Sequence, residues 1–234
     1  MRLFNLYLLT VLLALCACAE RTDQETANQL DLDPMYKKVK TIISLADCNG
    51  PGGVYTTEVH SSRDSYTFFK QEFDDGSFEV FLNKKGGWTI DSSGEKGDAI
   101  SINQVEMIRG HELHKMHMMP ELLFTDLSHV GTENYHGVLC EKYQGLDHLK
   151  HPVHLYNDQE SQLVRGVTLQ NSLDTSEIIE IFNSHWTDSD YGKVVEKASI
   201  IQAGKDTFFF DFKSVIFNSD EFRRKDLKWL EDLF

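Results

Sequence analysis

The chain has 234 residues, 41% of them hydrophobic, and its 37 Asp and Glu against 23 Lys and Arg give a formal net charge of −14. A chain this acidic is repelled by nucleic acid and by anionic lipid head groups, so neither is an expected partner. The densest basic run, Lys37-Lys38-Val39-Lys40, reads as a solvated face rather than a binding patch.

The chain opens on Met1-Arg2 and then runs without charge over residues 3–17, with Leu at 3, 6, 8, 9, 12, 13 and 15. Crossing a bilayer takes about 20 apolar residues. This run is shorter and ends in small residues, as a secretory leader does. Leu15-Cys16-Ala17-Cys18 resembles the lipobox of bacterial lipoproteins, with a Leu three residues before the cysteine and a small residue just before it. That resemblance implies cleavage before Cys18, with a diacylglycerol thioether and an acylated amine on that residue. One acyl chain anchors marginally, whereas several anchor stably. Ala19 follows, where Asp would favour inner-membrane retention, so the expected address is the periplasmic face of the outer membrane. Residues 18–33 are polar after the anchor and lack aromatics, which predicts a flexible tether. The folded domain is expected over 34–234.

Asp33-Pro34 looks like a helix cap followed by Pro at the first helical position. Val39, Ile42, Ile43 and Ala46 follow at helical spacing, up to a turn at residues 49–53. Strand-like runs come next at 54–60, 66–73 and 78–82, with a short one at 88–90. In the third, Phe78, Val80 and Leu82 alternate with Glu79 and Phe81. Residues 102–119 favour helix, weakened at Gly110 and ended by Pro120. Strands resume at 137–143, 153–157, 163–170 and 177–183. Two more, 194–202 and 206–217, flank a hairpin turn at Ala203-Gly204-Lys205. In the last strand Phe208, Phe210 and Phe212 share a face. Residues 225–234 read as a short amphipathic helix. The expected class is α+β: one strongly curved antiparallel sheet with helices covering its concave face.

This order resembles the LolA/LolB-like family of periplasmic proteins and lipoproteins over about residues 34–218. The likeness rests on an early amphipathic helix, a meander ending in Gly87-Trp88, a helical insertion ending Pro120-Glu121-Leu122-Leu123, and Asn134-Tyr135-His136-Gly137. It continues through His154-Leu155-Tyr156-Asn157 and Leu163-Val164-Arg165-Gly166. The resemblance implies an open half-barrel lidded by helices, with a hollow for acyl chains or other lipids. The turn Asn157-Asp158-Gln159-Glu160-Ser161 departs from the family's Thr-Gly turn. No segment maps onto the exposed hydrophobic loop with which LolB delivers lipoproteins. Phe78, Val80, Leu82, Met116, Met119, Phe208, Phe210 and Phe212 are the candidate cavity residues, the methionines being adaptable packers near the expected lid.

His111, His114 and His117 recur at spacing three, so adjacent pairs share a helix face but all three do not. They are weak metal candidates, since His-Glu-x-x-His would need spacing four. Met116, Met118 and Met119 add soft thioethers, and packing explains these more simply. Cys48 and Cys140 either form a disulfide, worth on the order of 4 kcal/mol in an oxidising compartment, or stay as buried thiols. The sequence contains no Gly-x-Ser-x-Gly and no phosphate-cradling loop before a helix, and no cofactor is expected.

The leading expectation is a non-enzymatic lipoprotein that binds a lipid, an acyl chain or a lipidated partner. The alternatives are an envelope scaffold with a filled core and a metal-binding protein or metal-dependent enzyme. Cys18→Ser is expected to move the protein from the membrane fraction to the soluble fraction, and unchanged fractionation would exclude the anchor.

Overall fold

A computed structural model describes residue 30 and residues 32–222. The leader, Cys18, most of the tether and the expected helix at 225–234 lie outside these described residues. Among them, no helix is long and apolar enough to cross a membrane.

Two antiparallel meanders make the fold. The first contains β1 (Thr41–Gly50), β2 (Gly53–Ser62), β3 (Thr67–Phe73), β4 (Gly76–Asn83), β5 (Gly86–Ile90) and β6 (Lys96–Ile100). The second contains β7 (Thr125–Tyr135), β8 (Val138–Leu146), β9 (Pro152–Asp158), β10 (Val164–Gln170), β11 (Ile178–Ser189), β12 (Gly192–Gln202) and β13 (Asp206–Phe217). Their first and last strands pair, Ile42 opposite Phe217 and Cys48 opposite Phe210, and this joins both meanders into one 13-stranded sheet. The hairpins use the chemistry their geometry demands. Ala203 and Gly204 both have positive φ, 52° and 66°, as the two central residues of a type I′ turn require.

The structure corrects the expected fold class. Among the described residues it is nearly all antiparallel strand, and the helices there are too few and too short to cover a concave face. They are α1 (Ile102–Arg109), α2 (Leu113–Met118) and two 3-10 turns, Pro34–Lys38 and Pro120–Leu122. The helix expected after Pro34 stops at Lys38, and Ile42, Ile43 and Ala46 belong to β1. This central strand buries Ile42, Ile43 and Ser44 in succession between β2 and β13. A strand buried on both faces shows a continuous apolar run that periodicity cannot separate from a helix. The expected helix over 102–119 breaks at Gly110, which caps α1 while Glu112 starts α2.

The sheet edges are β6 and β7, which are consecutive in the chain. Residues 101–124 must therefore pass from one edge to the other. The sheet also curls on itself, because residues of β2–β4 and of β10–β13 line one cavity. In a flat sheet with strands about 4.8 Å apart, β4 and β10 would be more than about 30 Å from each other.

The connecting segment docks on the sheet in two ways. Val105 and Ile108 of α1 pack with Val59, Phe69, Val80 and Leu82. Leu113 and Met116 of α2 enter the main core with Leu155, Val167, Val195 and Phe210. Polar contacts fix α2 in place. His114 Nε2 donates to Val195 O at 2.8 Å, and His117 Nε2 lies 3.1 Å from Tyr36 Oη and 3.3 Å from Lys193 O. Burial pushes the His114 and His117 pKa values down to about 4, so both rings are neutral. At the start of α2, Lys115 Nζ sits 2.8 Å from Glu112 Oε2, and both side chains are buried. The Thr67 hydroxyl of β3 donates to Glu112 Oε1.

Removing one member of a buried ion pair leaves an uncompensated charge. Lys115→Met is expected to destabilise by about 3–5 kcal/mol in a denaturant titration, and adding Glu112→Leu to recover most of that loss. No recovery in the double variant would contradict the pairing. The histidines predict a pH dependence of defined sign. Their folded pKa values lie below the unfolded value near 6.5, so their contribution is full above that pH and is lost as pH falls from about 6.5 towards 4. Unfolding free energy should drop across this window, and less steeply in His114→Asn.

Candidate functional site

The hollow of the curled sheet is unevenly filled. The α2 end is solid core. At the α1 end a cavity of about 260 Å³ remains. Tyr55, Phe69 and Phe78 of β2–β4 form one wall, and Leu169, Ile181 and Phe208 of β10, β11 and β13 form the opposite wall. Met107 and Ile108 of α1 roof it. Phe78 and Leu173 stand at its rim, 38% and 55% exposed, so the cavity communicates with solvent.

The roof is held from both sides. Ser101 and Gln104 form a reciprocal capping box that starts α1. On the near side α1 buries Val105 and Ile108 against β4. On the far side the Ser172 hydroxyl, between β10 and β11, donates to Asn103 O at 2.8 Å. Complete burial of side chains such as Val105 and Ile108 is worth about 1.5–3 kcal/mol each, which keeps the short helix in place. His111 lies at the wall, edge-on to Phe69 at 5.2 Å between ring centroids. Its Nδ1 donates to Met107 O at 3.0 Å, and burial lowers its pKa.

Of the cavity candidates drawn from sequence, Phe78 and Phe208 line this space. Val80 and Leu82 lie beneath α1, each wholly buried in its packing cluster. Met116 and Phe210 belong to the main core, and Met119 packs with Tyr36 and Val39. Phe212 stacks edge-on against His114, with ring centroids 4.3 Å apart. Sequence reasoning missed Tyr55, Leu169, Ile179 and Ile181. The alternation of Ile179 and Ile181 along β11 was the available signal.

The other candidates are placed apart. Cys48 and Cys140 are free, buried thiols rather than a disulfide. Cys48 lies in the main core, its thiol donating to Thr57 Oγ1 at 3.3 Å, while Cys140 packs with Tyr135 and Tyr156 in another cluster. Burial raises both thiol pKa values to about 11, so neither is a ready nucleophile. His111, His114 and His117 bind three different backbone carbonyls. Among the described residues no group of three or more His, Cys, Asp or Glu is placed to hold a metal ion.

Two roomier hollows are mixed in character. One of about 550 Å³ crosses the strands between Val54, Lys197 and Phe209. The other, of about 880 Å³, lies where the chain enters the domain, among Leu32, Arg63 and Glu121. Both linings carry charges of opposite sign, Asp47 and Lys197 in the first and Arg63 and Glu121 in the second, whereas among the described residues Glu106 is the one acidic or basic side chain of that kind beneath α1.

No protein-family model and no curated protein matches this sequence. Solved structures do. A LolA superfamily protein from Nitrosomonas europaea superposes with a TM-score of 0.56 at 9% identity, over 80% of this chain and 89% of that one. A putative outer membrane lipoprotein-sorting protein domain from Vibrio parahaemolyticus gives 0.55 at 8% identity, over 81% and 92%. A DUF1329 family protein from Desulfovibrio piger gives 0.53 at 13% identity, over 82% and 93%. Identities this low speak to fold alone, and the chain has a LolA-like fold.

Proposed function

We propose that this is a non-catalytic lipoprotein of the cell envelope, anchored through Cys18 on the periplasmic face of the outer membrane. In this reading it takes the apolar chain of a lipid or lipidated partner into the cavity beneath α1. The observation that carries it is the cavity itself: aromatic and aliphatic walls from both halves of the sheet, a helical roof and an exposed rim. Apolar burial would supply the affinity, roughly 25 cal/mol per Å² before ordering costs. The likeness in fold to a domain described as lipoprotein-sorting supports the reading.

A second reading, an envelope interaction protein, rests on the outer groove. There Val54 and Phe209 are 71% and 57% exposed.

Leu169→Trp places an indole in the cavity. The unmodified protein is expected to carry lipid through purification, or to take up decanol from solution. The variant should lose about tenfold or more in affinity, with melting temperature nearly unchanged. If the unmodified protein neither retains extractable lipid nor takes up decanol, the carrier reading fails and the interaction protein stands.

A further inference from the structure

We infer that the cavity beneath α1 selects a single-chain amphiphile whose polar end donates hydrogen bonds and carries no negative charge. This rests on the reading of that cavity as an apolar-chain site. The inferred feature is the juxtaposition of an alkyl-sized hollow with one buried carboxylate oxygen, Glu106 Oε2, that lacks a hydrogen-bond partner.

Volume sets the first limit. Ligand pockets generally run from about 300 to 1,000 Å³. At about 260 Å³ this one has room for one short alkyl chain and not for a diacyl lipid.

Charge sets the second limit. Among the described residues that line the cavity, Glu106 is the charged one. It is 7% exposed, and its Oε2 is buried without a hydrogen-bond partner. Its Oε1 faces His148 Nδ1 at 3.4 Å. His148 Nε2 in turn lies 2.8 Å from Arg109 Nη1. A guanidinium only donates, so Nε2 accepts and the proton of a neutral imidazole sits on Nδ1, towards Glu106. One carboxylate oxygen is thus occupied from outside by a neutral group, and the other is left without a donor.

Three neighbouring polar side chains have donors committed elsewhere. Ser172 donates to Asn103 O, and Asn171 Nδ2 and Gln202 Nε2 both donate to Glu177 Oε2. A buried acceptor without a donor is unfavourable and rare. An incoming hydroxyl, amide or ammonium would supply that donor. A carboxylate or phosphate would instead place like charge beside Glu106.

Decylamine, decanol and decanoate have the same chain and differ at the polar end. Titration calorimetry below their aggregation concentrations should rank them decylamine, decanol, decanoate, with the amine tighter than the acid by about tenfold or more. Glu106→Gln keeps the shape and removes the charge. It should collapse the amine-to-acid ratio to within about threefold and change decanol little. General attraction of a cation to this acidic protein would persist in the variant, so it does not imitate the result. Equal binding of amine and acid to the unmodified protein, or a ratio that survives Glu106→Gln, overturns the inference and leaves the cavity reading intact if decanol binds. Binding of none of the three overturns both.

Discussion

The pairing of β1 with β13 is the constraint on which the rest of the molecule depends. Every other strand pair joins sequence neighbours through a short turn, and this one joins residues some 170 positions apart. It fuses two meanders into one sheet and leaves β6 and β7 as the edges. Because those edges are consecutive in the chain, residues 101–124 have to cross between them. A curled sheet with its own chain drawn across the hollow follows from that topology before any side chain is considered.

What the crossing segment does then depends on its side chains. At its second half, Leu113 and Met116 enter the main core, and His114 and His117 bind carbonyls of β12. The neutral state of those rings suits a site from which water has been removed. The Glu112–Lys115 pair and Thr67 fix the corner between the helices. Such a pair contributes little net stability over an apolar substitute, but it penalises any arrangement that separates its members. The first half behaves differently. Val105 and Ile108 are its buried apolar anchors, packed on β2–β4, and the space between α1 and β10–β13 is bridged at Ser172 rather than filled. Plug and roof are thus two outcomes of one connection, decided by which residues face inwards.

The meanders were legible in the sequence because half-buried strands alternate and hairpin turns carry Gly. Residues 206–217 were read with their full bounds for that reason. Three features were not legible. β1 buries three residues in succession, Ile42 to Ser44, before it begins to alternate, so its start imitated a helix. β7 is an edge strand with mostly exposed, polar side chains, and it offers no alternation to read. At Gly110 the sequence showed a weak point, but the contact of Glu112 with Thr67 beyond the break joins residues far apart in the chain, and only the fold brings them together. The site was half visible, through Phe78 and Phe208. Leu169 and Ile181 look the same whether the space before them is filled or open, because core and cavity use the same residue types.

The low identity to the structural neighbours has a physical reason that also locates specificity. A sheet of this kind is specified by turn residues, alternation and backbone pairing, and many sequences satisfy these. Ligand preference cannot reside there. It has to lie in the few positions where the walls depart from the apolar rule, since an apolar wall discriminates weakly between chains of similar size. In this chain the charged departure lies on α1, at Glu106, one turn before the glycine that ends the helix. The connection imposed by the topology is therefore also the element on which one binding preference can be exchanged for another without disturbing the sheet.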